Sequence, residues 1–192
     1  NMIKQHFPQL LDNMSTTVSP MCAVSRYLKT VRPGVITVFI GPCIAKKSET
    51  LDLNIKDNAD YAMTFGEMRA MLRAKDITLE PEDNSYQESS VFGKRFGNGG
   101  GVSAAVLECF KEMGEDIEPK VAKCSGGAEC KKALLLLKVG KLPEDFIEGM
   151  ACVGGCVGGP SKHKAETEAK KDRDALIASA DGRKVLENLK KY

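Results

Sequence analysis

Tryptophan is absent from the 192 residues, histidine occurs twice, and aromatic residues make up 6%. So sparse an aromatic complement disfavours a base-stacking nucleic-acid platform. Neither sign of charge dominates: 28 Lys+Arg oppose 26 Asp+Glu, a formal net charge of +2. A nucleic-acid binder would show a larger basic excess or a basic stripe. Long apolar runs are missing too. The longest, residues 35–40 and 133–137, fall far short of the roughly 18 needed to span a bilayer. The opening NMIKQHFPQLL has no basic region followed by an apolar stretch, so it does not read as a targeting segment. Asn1 is not an ordinary start, and Met2, Ile3, Phe7, Leu10 and Leu11 share one helical face. The chain is expected to begin inside a helix, with more sequence upstream.

What is present is a core and cysteine. Hydrophobic residues are 42% and charged residues 28%, enough apolar material for about one domain and against disorder. Seven cysteines occur: Cys22, Cys43, Cys109, Cys124, Cys130, Cys152 and Cys156. The number is odd, and a core of this size needs no disulfide staples. Thiols in a reducing, cytoplasmic compartment, some of them metal ligands, fit better.

The pattern along the chain alternates. Helices are expected over 2–11, from Ser19-Pro20 to about 30, 66–75, 102–113, 129–139 and through much of 161–192, with a break at Asp181-Gly182. Strands are expected over 35–40, 61–65, 120–125 and 146–151. The first is apolar throughout, as a strand buried on both faces would be. Residues 46–60 form a polar stretch and 77–90 read as irregular, and in helix 66–75 Met68, Met71 and Leu72 are expected inward. Strands separated by helices predict an α/β fold, one lobe with a mainly parallel four-stranded sheet flanked by helices. Ligands in such sheets sit beyond the carboxyl ends of the strands. Cys43 follows the first strand and Cys152 the fourth, so both are expected at that rim.

Cys152-Val153-Gly154-Gly155-Cys156 is a C-x3-C in a glycine loop. Such a loop lets backbone approach an inorganic group and aim N–H donors at it. Cys43 is followed by Lys46 and Lys47, cations that favour a thiolate. Cys124 and Cys130 are spaced more loosely than zinc pairs and are read as structural. Cys22 and Cys109 are read as core, and His6 and His163 stand outside the pattern. The glycine run 97–101 opens a helix. It is neither a P-loop nor a dinucleotide fingerprint, and it reads as close packing or approach to a cofactor.

Two segments resemble signature motifs of iron-only ([FeFe]) hydrogenases. They are Gly41-Pro42-Cys43-Ile44-Ala45-Lys46-Lys47-Ser48-Glu49 and Phe146-Ile147-Glu148-Gly149-Met150-Ala151-Cys152-Val153-Gly154-Gly155-Cys156. Asn13-Met14-Ser15-Thr16 with Ser19-Pro20-Met21 is similar to the segment after the family's first motif, and Gly99-Gly100-Gly101-Val102 to its glycine-rich helix start. The resemblance covers residues 1–160, the H-cluster lobe, and leaves 161–192 as a C-terminal helical segment.

The resemblance implies an H-cluster, a four-iron cubane joined to a two-iron subcluster, in a protein that interconverts hydrogen with protons and electrons. By motif, Cys43 and Cys152 match cubane ligands, and Cys156 matches the ligand bridging to the two-iron unit. Lys46 matches the lysine that contacts a cyanide ligand. Glu49 and Ser15 match members of the proton route, and Met150 matches a methionine packed against the two-iron unit. The fourth ligand belongs to a Cys-Cys-Pro motif expected just upstream of Asn1, on a missing N-terminal lobe. This chain alone is therefore expected to be inactive and cluster-free. A ferredoxin-like carrier or fused iron–sulfur domain is the implied electron partner, in an anaerobe. Gly41 replaces the usual Met, and Val157-Gly158-Gly159-Pro160 replaces the usual Gln-Pro ending. These departures keep two alternatives open: a slow hydrogen-sensing module, and an iron–sulfur scaffold without hydrogen chemistry.

Overall fold

In the computed structural model, which describes residues 2–80 and 89–190, every strand finds a parallel partner across a helical crossover. The chain divides into two compact units. The smaller comprises Leu10–Glu80 with Gly159–His163; the larger comprises Asn1–Gln9, Pro81–Gly158 and Lys164–Tyr192.

The first α-helix of the smaller unit is α2 (Pro20–Val31), after a short α1 (Met2–His6) that belongs to the larger unit. Ser19 caps α2, accepting the Cys22 N–H at 3.3 Å, and Pro20 needs no such acceptor. Strand β1 (Val38–Gly41) leads to α3 (Ala45–Thr50) and then to β2 (Tyr61–Thr64), paired Val38 to Tyr61 through Gly41 to Thr64. Helix α4 (Phe65–Ala74) follows at once. Its capping box pairs Thr64 with Glu67. Polar side chains hold the pair of strands together. Asp60 accepts the Thr37 N–H at 2.7 Å, the Thr37 hydroxyl at 2.9 Å and the Lys29 ammonium at 2.8 Å. Those donors, Lys29 foremost and then Thr37, hold its carboxyl at about 2. Cys22 is fully buried here, as a core thiol.

The larger unit contains α5 (Val91–Lys94), α6 (Gly101–Met113), β3 (Val121–Ser125), α7 (Gly127–Lys138), β4 (Phe146–Met150), α8 (Glu166–Ala178) and α9 (Val185–Leu189). Strands β3 and β4 pair from Val121–Phe146 to Ser125–Met150. Their core is Cys124, Cys130 and Ala133, with Met2, Ala122, Leu142 and Ile147 against it. Glu112 of α6 accepts the Val185 and Leu186 N–H groups at 2.7 and 3.0 Å, which caps α9.

The α/β class holds, but the four-stranded sheet does not. Among the described residues there are two two-stranded sheets, β1–β2 and β3–β4, one per unit. Each crossover returns its strand beside the one just left, which completes a pair without recruiting the other pair. The first strand is not buried on both faces: Val38 is 46% exposed and Ile40 41%. Met71, expected inward, is exposed. The first helix stops at His6 because Pro8 has no N–H to continue it, and a 3-10 turn follows over Pro8–Asn13. The polar stretch after Cys43 contains α3. Of the loop expected over 77–90, residues 81–88 lie outside the described residues, as do 191–192 of the last helix.

Candidate functional site

The larger unit carries the C-x3-C loop. Strand β4 ends at Met150, and the chain turns so that the Gly155 N–H meets the Cys152 carbonyl at 3.1 Å. Gly154 and Gly155 have φ of 79° and 81°, a left-handed conformation that disfavours any side chain. Gly155 also lies directly against the Gly97 carbonyl, where a Cβ would overlap it. Gly97 in turn lies on Cys156: a Cβ built there would be 3.5 Å from the Cys156 Cβ and 3.8 Å from its Sγ. The glycine run 97–101 is thus packed on the cysteine loop. The Gly154 N–H donates to Ser125 Oγ at 3.2 Å, and the Glu166–Lys170 ion pair of α8 stands over Gly154. Cys152 is half-buried and Cys156 exposed.

Met150 is the last residue of β4, half-buried, and its carbonyl accepts the Gly126 N–H at 2.7 Å. Cys130 sits over Gly149, its Sγ 3.1 Å from where a Cβ would be, so the sulfur fills the room a side chain there would take. Burial above all, with nearby Glu129, pushes the Cys124 and Cys130 thiols up. Both thiols belong to the apolar core of this unit.

The smaller unit carries the second motif. Cys43, half-buried, falls between β1 and α3. Within α3, Lys46 Nζ lies 2.6 Å from Glu49 Oε2 one turn further on, both partly buried. The Ser19 hydroxyl donates to Glu49 Oε1, and Asn58 Nδ2 donates to the Glu49 carbonyl at 2.8 Å. Ser15, the hydroxyl singled out by motif, is instead 2.6 Å from Thr17 Oγ1 on the surface. Ser19 had a visible role only as a helix cap; the structure gives its oxygen both that acceptor role and a donor role toward Glu49. His163 lies beside Arg69, Nδ1 to Nη1 3.1 Å, with its ring edge-on to Phe65. At Gly41, the Phe39 ring folds into the space a larger residue would use, 2.7 Å from a built Cβ.

Among the described residues no group of three or more His, Cys, Asp or Glu side chains is gathered to hold a single metal ion. A cubane takes one thiolate per iron corner, so its ligands spread wider than those of one ion.

The family model for the C-terminal domain of the iron only hydrogenase large subunit matches residues 1–160. The chain belongs to this family. Within the iron-only hydrogenase family it is 30% identical to the periplasmic [Fe] hydrogenase large subunit of Nitratidesulfovibrio vulgaris, over 80% of this chain and 47% of that protein. It is 25% identical to a probable cytosolic Fe-S cluster assembly factor of Brugia malayi, over 98% of this chain and 52% of the relative. The chain thus spans about half the length of these curated relatives. A solved [FeFe]-hydrogenase of Chlamydomonas reinhardtii shares the fold with a TM-score of 0.67 at 19% identity, covering 99% of this chain and 68% of that one. No helix among the described residues is long and apolar enough to cross a membrane.

Proposed function

We propose that this chain is part of an iron–sulfur protein of the hydrogenase type, with Cys43, Cys152 and Cys156 as cluster ligands. The observation that carries the reading is family membership over 1–160 together with cysteines at the ends of β1 and β4. The local features fit such a group. Two thiols bracket a glycine loop whose backbone is open to close approach.

A bound H-cluster would supply the redox chemistry that interconverts hydrogen with protons and electrons. The chain's own residues would do the rest. Lys46, held by Glu49, is a donor for an anionic diatomic ligand. Glu49 and the Ser19 hydroxyl form a hydrogen-bonded pair able to hold and pass a proton. Ser15 remains a candidate by motif on that route. Met150 is a soft apolar side chain suited to line the pocket. Residues 161–192 would form a C-terminal segment beyond this part, helical over Glu166–Ala178 and Val185–Leu189. The fourth ligand, the N-terminal lobe, a ferredoxin-like electron partner and an anaerobic setting follow from the resemblance, and the cytoplasmic setting from the seven cysteines read as thiols.

A second reading keeps the iron–sulfur group and drops the hydrogen chemistry. It draws support from the assembly-factor relatives and from Gly41, whose side-chain space Phe39 takes. The two readings separate on Lys46→Met in the full-length protein isolated with its complete cluster, diatomic ligands included, from cells that assemble it. For the hydrogenase reading, dye-linked hydrogen uptake is present in the wild type and collapses in the variant while cubane iron stays bound. Wild-type protein that is iron-loaded yet inactive selects the scaffold.

A further inference from the structure

Glu148 is the middle residue of β4, four positions before Cys152, and only 6% exposed. A buried carboxylate is expensive unless hydrogen-bonded. This one is met by three backbone donors. Its Oε1 accepts the N–H of Gly100 at 3.0 Å and of Val102 at 3.3 Å; its Oε2 accepts the N–H of Ser103 at 2.9 Å. These are the first amides of α6, whose N-cap residue is glycine and offers no side-chain acceptor. A carboxylate from a strand some 45 positions away in sequence does the work of a local cap.

The reach matters because of what lies next to that helix start. Residues 97–101 carry Gly97, which touches Cys156, and receive Gly155 against the Gly97 carbonyl and Asn98 Cα. Glu148 therefore ties together two segments that meet at the cysteine loop: the strand leading into Cys152 covalently, and the glycine run through its amides. We infer that Glu148 is a positioning residue for the 152–156 loop, acting through residues 97–101 rather than by touching a cluster. The inference rests on the cluster-ligand reading for its consequence at the metal, but not for its structural content.

Amide hydrogen exchange of the metal-free full-length protein, wild type against Glu148→Gln, tests the structural content. The amide nitrogen of Gln turns a donor toward backbone donors. Exchange at Gly100, Val102 and Ser103 is expected to rise by roughly tenfold or more. The decisive amides are those of Gly155 and Gly158, which bond to Cys152 and Gly155 within the loop. They are expected to loosen with the helix start, while β1–β2 amides stay unchanged. Loosening confined to 100–103 makes Glu148 only a helix cap and overturns the proposal. If Glu148→Gln does not fold, the wild type decides: alkylation of Cys156 should speed exchange at 100–103, and no change there overturns the proposal equally. In protein reconstituted with iron and sulfide, the variant should shift the cluster's electron-paramagnetic-resonance signature, and an unshifted signature counts against it. Should no cluster load in the wild type, the amide pattern still decides the role of Glu148, and the cluster reading alone falls.

Discussion

Both units build the same device, a parallel strand pair crossed by one helix with a cysteine beyond a strand end, yet they hold it differently. The smaller unit relies on side chains. Asp60 gathers Lys29 and Thr37, Glu49 gathers Lys46 and Ser19, and Val38 and Ile40 of the strand remain substantially exposed. The larger unit relies on backbone. Glycines press its loops together, and the buried Glu148 binds only main-chain N–H groups. Side-chain clamps can be removed one at a time at modest cost. Backbone contacts cannot be altered without moving the chain, which suits a loop proposed to hold cluster ligands at fixed positions.

Substitutions that act on one unit sharpen this contrast. The largest effect is expected for Gly155→Ala. A left-handed φ costs a non-glycine residue about 1–2 kcal/mol, and overlap with the Gly97 carbonyl adds about 1–3 more. Thermal unfolding should show the loss, in all about 3 kcal/mol. Next is Asp60→Ala in the smaller unit, which strands the Thr37 N–H and leaves the Lys29 ammonium only the Asn58 carbonyl. Chemical denaturation should report about 1–3 kcal/mol, toward the lower end because the carboxylate is partly exposed. An equal loss from both variants would erase the distinction between clamp and cradle.

The two units should also fail at opposite ends of the pH scale. Asp60 is held at about 2, below its ordinary 3.8, so its contribution is present above pH 3.8 and fades as pH falls toward 2. In the larger unit the buried Cys124 and Cys130 thiols are raised above their ordinary 9.0. Unfolded thiols ionise first, so stability there falls as pH rises past 9.0. Amide exchange followed across pH should therefore loosen β1–β2 first in acid and β3–β4 first in alkali. The smallest effect is expected for Gly34→Ala. Its φ of 83° matches that of Gly155, but nothing lies within 4 Å of the added carbon. The cost should be about 1 kcal/mol, the backbone penalty alone. A larger loss would mean that crowding is not what separates the two glycines.

Local signals in the sequence were readable and pairings were not. Ser19-Pro20 marked the start of α2, and the alternation around α7 marked β3 and β4 to within two residues. Nothing in four apolar runs says which lies beside which, so one sheet was expected where two pairs form. Helix α3 was missed because Ala45–Thr50 is mostly polar and shows no apolar stripe. At the proposed site, the motifs made Cys43, Lys46, Glu49, Cys152 and Cys156 candidates. Ser19 and Glu148 were not, because each acts on a partner some 30 to 45 positions away. For Glu148 the one local hint was an acid inside an otherwise apolar strand.

The most direct test of the central claim is iron and acid-labile sulfide content after anaerobic reconstitution of the full-length protein, wild type beside single Cys→Ser variants. The account predicts a loaded wild type. It predicts loss of bound iron in Cys43→Ser, Cys152→Ser and Cys156→Ser, and retention in Cys124→Ser and Cys130→Ser. A folded wild type that takes up no iron, or iron that survives replacement of Cys43, Cys152 and Cys156 together, would contradict it.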